Sequence, residues 1–518
     1  MVNGCSSLGW IILLNKKPAS AGFFIVCQNI VLFLAYDALN LIVLYLDIPM
    51  KTPRALIIAT LINLAAPCLS AWADNSNAQA WLKPTSDAWK VTPLLNVGDA
   101  VGAKNYRMVG VPDGLGALDN GDGTLSIYMN HELGKDQGKN RKHFGWGAFV
   151  SNWILDVTTL KITAGEDLIK QTKLWLVDEK KHVNAPAYSF NRLCSADLPA
   201  LSAFYDAASG KGFNGRLFMN GEEDREGGRG FAHVVTGEQK GISYELPYLG
   251  KFAWENAVAN PSTGLKTVVM GMDDSPGGQV YMYVGEKRAA GNPVEQAGLM
   301  GGNLYAVKVD DKRFSFANIG DASAMSGDDL KKAGRAINVA NFMRPEDGVW
   351  DVKNPNIFYF ATTDKIDGTS QLFQLTFDDI NKPEKGGAIK VVLNARDIGA
   401  QMFDNITVSG DGKVLVEEDP GDNPHMAAIW QFDPKTGMAE KVLRVAPEVF
   451  LDKNSPAFLT QDEENSGIIE VTDLVRKAPW FEVSKRYFLG AIQVHAKSSD
   501  PELVEGGQLY LIAGPSGQ

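Results

Sequence analysis

Downstream of about residue 105 the chain alternates apolar and polar positions in short bursts, each closed by Gly, Asp, Asn or Pro: "TLSIYMN", "GRLFMNG", "KTVVMGM", "QVYMYVG", "NLYAVKVD", "IFYFATT", "QLFQLTFDD", "KVLVEED", "AIWQFDPKTG" and "GQLYLIA". A period of two over four to eight residues, rich in β-branched and aromatic side chains, predicts strands. Helical periodicity is scarce and confined to pieces near 195–208, 328–336 and 468–477. Three segments share one form, an aromatic inside an alternating run that ends in Asp: "LYAVKVD" at 304–310, "LFQLTFD" at 372–378 and "IWQFD" at 429–433. Their spacing is near that of a four-stranded propeller blade with insertions, for which the shortest repeats run ~40–45 residues. The expected fold is all-β, a single large β-propeller with inserted loops and a few short helices. A multi-sheet β-sandwich is the alternative. Only the propeller gathers loops from distant sequence around one central channel.

The N-terminal part reads differently. From Met50, "MKTPRALIIATLINLAAPCLSAWADNSN" has a basic start (Lys51, Arg54), an apolar run, and small residues at Ala71 and Ala73 before Asp74, the pattern of a secretory signal peptide. Upstream, "FFIVCQNIVLFLAYDALNLIVLYL" reaches the ~20 residues a spanning helix needs. It is read as a membrane anchor, an elongated leader or sequence upstream of the true start, the last being favoured because Met50 opens a complete signal of its own. The expected organisation is therefore 1–49 leader or upstream segment, 50–73 signal peptide, 74–104 an irregular polar arm, and 105–518 the propeller, with the mature protein periplasmic or secreted and without a membrane anchor.

Composition sharpens this picture. The 518 residues carry 50 Lys and Arg against 61 Asp and Glu, net −11. Removing 1–73 takes away Lys16, Lys17, Lys51 and Arg54 against Asp37 and Asp47, leaving 46 basic and 59 acidic residues, net −13. Acidic excess argues against nucleic acid or an anionic membrane as partner and suits cations. Of four cysteines, only Cys194 lies beyond the signal. An exported chain with one thiol has no internal disulfide, so its stability comes from core size or bound metal.

The acidic residues gather where the apolar runs end: Asn130, His131 and Glu132 in "YMNHELG", Glu222 and Glu223 in "LFMNGEEDREGG", Glu255 in "FAWENAV", Asp273 and Asp274 in "GMDDSPGG", Glu346 and Asp347 beside Arg344 in "MRPEDGVW", Asp404 and Asn405 in "FDNITV", Glu417, Glu418 and Asp419 in "VLVEEDPGD", and Asp462, Glu463 and Glu464 in "TQDEENSG". One such group is an ordinary solvated turn; a recurring set flanked by apolar residues is not. Buried together without cations, the carboxylates cost many kcal/mol or become protonated. Six to eight oxygen ligands suit Ca²⁺. Zinc prefers Cys and His, and the six His form no zinc-ligand pair. Because successive strand residues face opposite ways, one member of Glu222/Glu223 and one of Glu417/Glu418 is expected to face the site. Arg344 either satisfies a carboxylate or grips a phosphate through its planar fork.

Taken in order, "NGEE", "LGKFAWENA", "MGMDD", "RPEDG", "FDNITVSGDGKVLVEED" and "TQDEENSGIIEVTDL" resemble the PhoX-type alkaline phosphatases, secreted bacterial β-propeller proteins, and "YMNHEL" fits the family's N-terminal part; the likeness runs from about Asn130 to Leu474. It implies a calcium-dependent phosphomonoesterase, with Fe³⁺ alongside Ca²⁺ in the channel. Carried over by position, Glu222, Glu223, Glu255, Asp273, Glu346, Glu418 and Asp462 are the implied metal ligands, Arg344 and Glu255 the catalytic pair, and Arg344 and Asn405 the substrate contacts, with Asp404 a further candidate. Two departures stand out. Where the family carries Cys before its Glu pair this chain has Gly221, so that iron ligand is missing, and Cys194 is left either to replace it or to sit buried. The leader also lacks a twin arginine, which makes the Sec route the expected one.

Two rivals use the same residues. A non-catalytic calcium-stabilised propeller serving as a binding module keeps the carboxylates and has no need of Arg344. A phytase-like phosphoesterase calls for extra cations at the mouth, where Arg225, Lys251 and Lys365 are available. No G-x-S-x-G occurs for a serine hydrolase, and βαβ alternation with a glycine fingerprint is missing. The expected partner is a small phosphate ester, bound by a monomer.

Overall fold

In the computed structural model the described residues are 79–517, together with four short strands upstream, Ile11–Leu14, Gly22–Cys27, Ile30–Ala35 and Leu44–Leu46, which pair in sequence order as an antiparallel sheet. These strands belong to a unit of their own, and residues 70–518 form the other. The signal peptide expected at 50–73 lies outside the described residues. Among the described residues no helix is long and apolar enough to cross a membrane.

Every alternating run named above is a strand, and the described residues build six blades, antiparallel except for one parallel pair, Gln171–Leu176 with Ile242–Glu245, in the second. The innermost strands are Pro112–Asp119, Leu193–Asp197, Trp254–Ala259, Pro345–Trp350, Phe403–Val408 and Glu463–Glu470. Each packs beside the next, and the sixth beside the first, which closes the ring. Blades three and four share one continuous sheet, because their outer edges pair at Arg313↔Ala388 and Phe314↔Gly387. The expected single β-propeller is the observed fold.

Its stability lies between the blades. Six apolar clusters of buried side chains each join two successive blades: Leu125, Trp153, Leu489 and Leu511 fill the seam between the last and the first, as Met219, Tyr244, Trp254 and Tyr281 fill that between the second and third. Burying aromatic and aliphatic side chains this way contributes ~1.5–3 kcal/mol each. Closure depends on residues 79–104, which are not the irregular arm expected there. Leu82–Pro84 is the outer strand of the fifth blade and Lys90–Asn96 that of the sixth, paired Leu509↔Leu95 and Leu511↔Thr92. These strands escaped notice because an outer edge strand is short and only partly buried.

The helix expected at 328–336 is Gly327–Ala336, capped by the Ser326 side chain accepting from Asp329 N–H. Of those expected near 195–208 and 468–477, the first holds a single 3₁₀ turn, Leu201–Ala203, and the second is not a helix. Leu193–Asp197 and Glu463–Glu470 are innermost strands. Such strands are flanked by neighbouring blades, so they lose the clean alternation that marks a half-buried strand.

Three buried histidines, His131, His143 and His233, link the fold to acid, and burial pushes the pKa of each down. His233 is fully buried and its Nε2 bonds Asn220 Oδ1 at 2.8 Å. Burial, and secondarily His143, push its pKa down to about 3. Folded protein thus keeps His233 neutral while the unfolded chain binds a proton near pH 6.5, so its contribution to stability is full above that pH and lost progressively as pH falls toward 3. His233→Gln retains a donor for Asn220 and is expected to flatten the decline in urea-unfolding free energy between pH 6 and 4 by up to roughly 1.4 kcal/mol per pH unit; an unaltered slope would show that His233 is not one of the titrating groups.

Candidate metal and anion site

The innermost strands share one local device. Against its neighbour each carries one extra residue, at the very start in the first five, as in Leu193↔Glu222 followed by Ala196↔Asn220, or Phe403↔Glu418 followed by Ile406↔Val416, and after Asn465 in the sixth. Bulges of this kind re-aim side chains at strand ends. The second residues of the six strands are Asp113, Cys194, Glu255, Glu346, Asp404 and Glu464. Immediately after the adjoining strands come Glu132, Glu223, Asp274, Thr363, Asp419 and His495, whose N–H groups donate to the carbonyls of Val111, Arg192, Ala253, Arg344, Met402 and Asp462 at 2.8–3.0 Å. One backbone bond, repeated six times, thereby sets two concentric rings of polar side chains at one mouth of the channel.

Within these rings four groups of three ligand atoms lie within 4.8 Å of one another: Asp113/Glu132/Cys194, Cys194/Glu223/Glu255, Glu255/Glu346/Asp404 and Asp404/Asp419/Glu464. Shared members make them one chain of sites. Burial, reinforced by neighbouring carboxylates, raises Asp113, Glu346 and Asp404 well above the usual carboxylate range, brings Glu255 to about 8 and Asp419 to about 7. Glu223 is raised well above that range by burial, although Arg192 opposes the shift. The Cys194 thiol is raised by burial and next by Asp113.

One residue deeper, a polar floor crosses the channel. Asn256 Nδ2 donates to Asp347 Oδ1 at 2.6 Å, Asp347 Oδ2 accepts from Ile406 N–H at 3.2 Å, and Asn405 Nδ2 donates to Ser195 Oγ from the opposite side. The Cys194 carbonyl accepts from Asn130 Nδ2 at 2.5 Å, Asn130 Oδ1 accepts from Asn220 at 2.9 Å, and Asn220 in turn bonds His233. This relay fixes the backbone that carries the thiol.

Arg344 lies at the lip. Its φ of 57° is in the left-handed region, a strained conformation for a non-glycine residue that the surrounding structure must impose. Nε and Nη2 donate to Asp274 Oδ1 and Oδ2, both at 2.8 Å, and Nη2 lies 3.1 Å from Glu346 Oε1.

Of the expected site residues, the structure gathers Glu223, Glu255, Glu346 and Asp404 in these groups and places the other expected ligands elsewhere. Glu222 faces away, accepting from Tyr188 Oη at 2.9 Å and Asn191 N–H at 3.2 Å. Asp273 points toward Ser275 and Lys331, and its neighbour Asp274 meets Arg344. Glu418 accepts from Gln401 N–H and pairs with His425 at 3.0 Å, while Asp419 enters the ring. Asp462 precedes its strand, and Glu464 supplies the ring ligand. Asn405, expected on the substrate, is in the floor. The ring side chain follows the last paired strand residue, a register that composition does not reveal. Asp113 was missed as a ligand because its innermost strand lacks alternation, and Cys194, left open as ligand or buried thiol, is both buried and a member of two groups. Gly221 has no room for the family's thiol, since a Cβ there would fall 2.3 Å from Trp254 Cβ.

The residues fit bound cations. Asp113 Oδ1, Glu255 Oε1 and Asp404 Oδ1 are buried without a hydrogen-bond partner among the described residues. Gln493 Nε2 lies within 3.2 Å of Asp113 Oδ2, Glu132 Oε2, Glu464 Oε1 and Ser466 Oγ. An amide has two protons and cannot serve four acceptors; the surplus lone pairs are what a hard cation takes up. Carboxylates suit Ca²⁺, and one thiol shared by two groups admits a softer metal such as iron.

The sequence matches no protein-family profile and no curated protein. By shape the chain is similar to Pseudomonas fluorescens PhoX solved in complex with vanadate, a transition state analogue: TM-score 0.61 at 12% identity, over 84% of this chain and 96% of that one. Looser likenesses are to Chaetomium thermophilum Sqt1 bound to the N-terminus of ribosomal protein L10 (TM-score 0.35, 7% identity, 82% and 100% covered) and a putative 6-phosphogluconolactonase from Bacteroides uniformis (0.32, 12%, 74% and 95%). The PhoX likeness establishes a shared fold; the other two superpose too loosely to bear on the site.

Two outcomes are expected. Calcium added to metal-free protein raises its melting temperature, each site contributing ~2.7 kcal/mol at a hundredfold excess over Kd, and Asp404→Asn, which weakens two groups at once, reduces the gain; identical melting with and without calcium would contradict the cation reading. Gly221→Cys is expected to lower unfolding free energy by about 1–3 kcal/mol through overpacking against Trp254, and a neutral effect in urea denaturation would contradict that packing.

Proposed function

We propose that this protein is a metal-dependent phosphomonoesterase of the PhoX type, acting on small phosphate esters at the ringed mouth of the propeller. The observation that carries the reading is Arg344, its guanidinium fixed by Asp274 and Glu346 at the lip of a chain of cation-fitting groups. The fold it shares with a protein solved with vanadate supports the same reading.

Glu223, Glu255, Glu346, Asp404 and Cys194 are the residues that would hold cations, with calcium the first choice and Fe³⁺ the second because of the thiol. Bound there, cations would neutralise phosphate oxygens and activate a water. Arg344 orients the anion: Asp274 locks one edge of its guanidinium, so the other edge meets a phosphate oxygen without rotamer entropy being lost on binding. Glu255, central to two groups and brought by burial to about 8, would be held as the carboxylate by a bound cation. The floor of Asn256, Asp347, Asn405 and Ser195 excludes bulk water from below, where it would weaken these charges. In this proposal the protein is exported by the signal at Met50, acts as a monomer and binds no nucleic acid.

Arg344→Lys tests it. The variant keeps the charge beside Asp274 and Glu346 and loses the planar fork, so kcat/KM for p-nitrophenyl phosphate is expected to fall ~10²-fold or more with the melting temperature unchanged. Wild-type turnover in this variant would remove the phosphate-gripping role. Calcium binding without any turnover in the native protein would favour the binding-module alternative.

A further inference from the structure

The sixfold repeat identifies a residue that the phosphatase reading leaves unused. The positions just before the innermost strands are Val111, Arg192, Ala253, Arg344, Met402 and Asp462, each accepting the same ring N–H bond. Arg192 and Arg344 are therefore structural equivalents, one on the second blade and one on the fourth. Their backbones match, with φ of 47° and 57°. So do their side chains. Arg192 donates from Nε to Glu132 Oε1 at 2.8 Å, and its Nη2 bridges Glu132 and Glu223, as Arg344 Nη2 bridges Asp274 and Glu346. In both, Nη1 has no hydrogen-bond partner among the described residues, and the side chains are 48% and 30% exposed. Arg192 sits beside the two groups that share Cys194, and Arg344 beside the group of Glu255, Glu346 and Asp404; Glu255 is common to both neighbourhoods.

We propose that Arg192 is a second substrate-binding guanidinium, which with Arg344 brackets a tetrahedral dianion and sets the preference for phosphate monoesters over diesters. This rests on the phosphatase reading. A carboxylate clamp on Nε and Nη2 costs nothing further to order and leaves one N–H edge for an anion. Two such edges suit a monoester, whose three non-bridging oxygens carry two charges; a diester offers two oxygens and one charge. A purely structural role, neutralising Glu132 and Glu223, leaves the mouth position and the free Nη1 edge unexplained, since a lysine there would neutralise equally well.

The test uses calcium-loaded wild-type protein, Arg192→Lys and Arg192→Gln, with three readouts: inorganic phosphate affinity by calorimetry, the kcat/KM ratio for p-nitrophenyl phosphate against bis(p-nitrophenyl) phosphate, and the calcium-induced rise in melting temperature. Both variants are expected to bind phosphate about tenfold or more weakly and to lose about tenfold in the monoester-to-diester ratio, with the calcium-induced rise retained. Wild-type phosphate affinity and ratio in the variants overturn the role of Arg192 and leave the phosphatase reading standing. Weaker phosphate binding together with a lost calcium response in Arg192→Lys overturns it too, by showing a structural role. Wild-type protein that neither binds phosphate nor hydrolyses either ester removes both readings.

Discussion

Like charges brought together out of water are the constraint on which this molecule turns. Asp113, Glu255, Glu346, Asp404 and Glu464, with Cys194, are each buried at the start of an innermost strand, and the same six backbone bonds that close the mouth of the propeller fix them there. A carboxylate ring of this kind is stable in two states only, protonated or filled by cations, because isolated buried charges cost several kcal/mol each. The fold supplies the opposing stability through its six interblade clusters. Two arginines, clamped at the lip, oppose the negative field from above.

This division of labour explains the architecture. The blades place all innermost strands side by side, so the same backbone bond at the start of each is enough to turn six distant stretches of sequence toward one axis. Closing the circle with Lys90–Asn96 on the last blade makes the ring geometry depend on both ends of the domain. The relay from His233 through Asn220 and Asn130 to the Cys194 carbonyl shows how the first two blades are held in step.

Strands of mixed exposure were legible in the sequence because their alternation reports one wet and one dry face, as in "NLYAVKVD". So was the recurrence of acidic residues where they end. Register was not legible. Glu222 and Glu223, Asp273 and Asp274, or Glu418 and Asp419 differ only in which of two neighbours follows the last ladder pair, and that depends on a bulge in another strand. Cys194 illustrates the same limit: a lone thiol between Leu193 and Ser195 reads as core until the second blade is placed beside the first. Lys90–Asn96 reads as loop because its partner strand lies more than four hundred residues away.

The most direct test of the account is the metal content of the purified protein from Met50 onward, by elemental analysis, compared with Glu255→Gln. The account predicts more than one equivalent of calcium per chain, with or without iron, and a clear loss in the variant that weakens the two groups sharing Glu255. Protein that folds fully with its ring intact and retains no cation at millimolar calcium would contradict it.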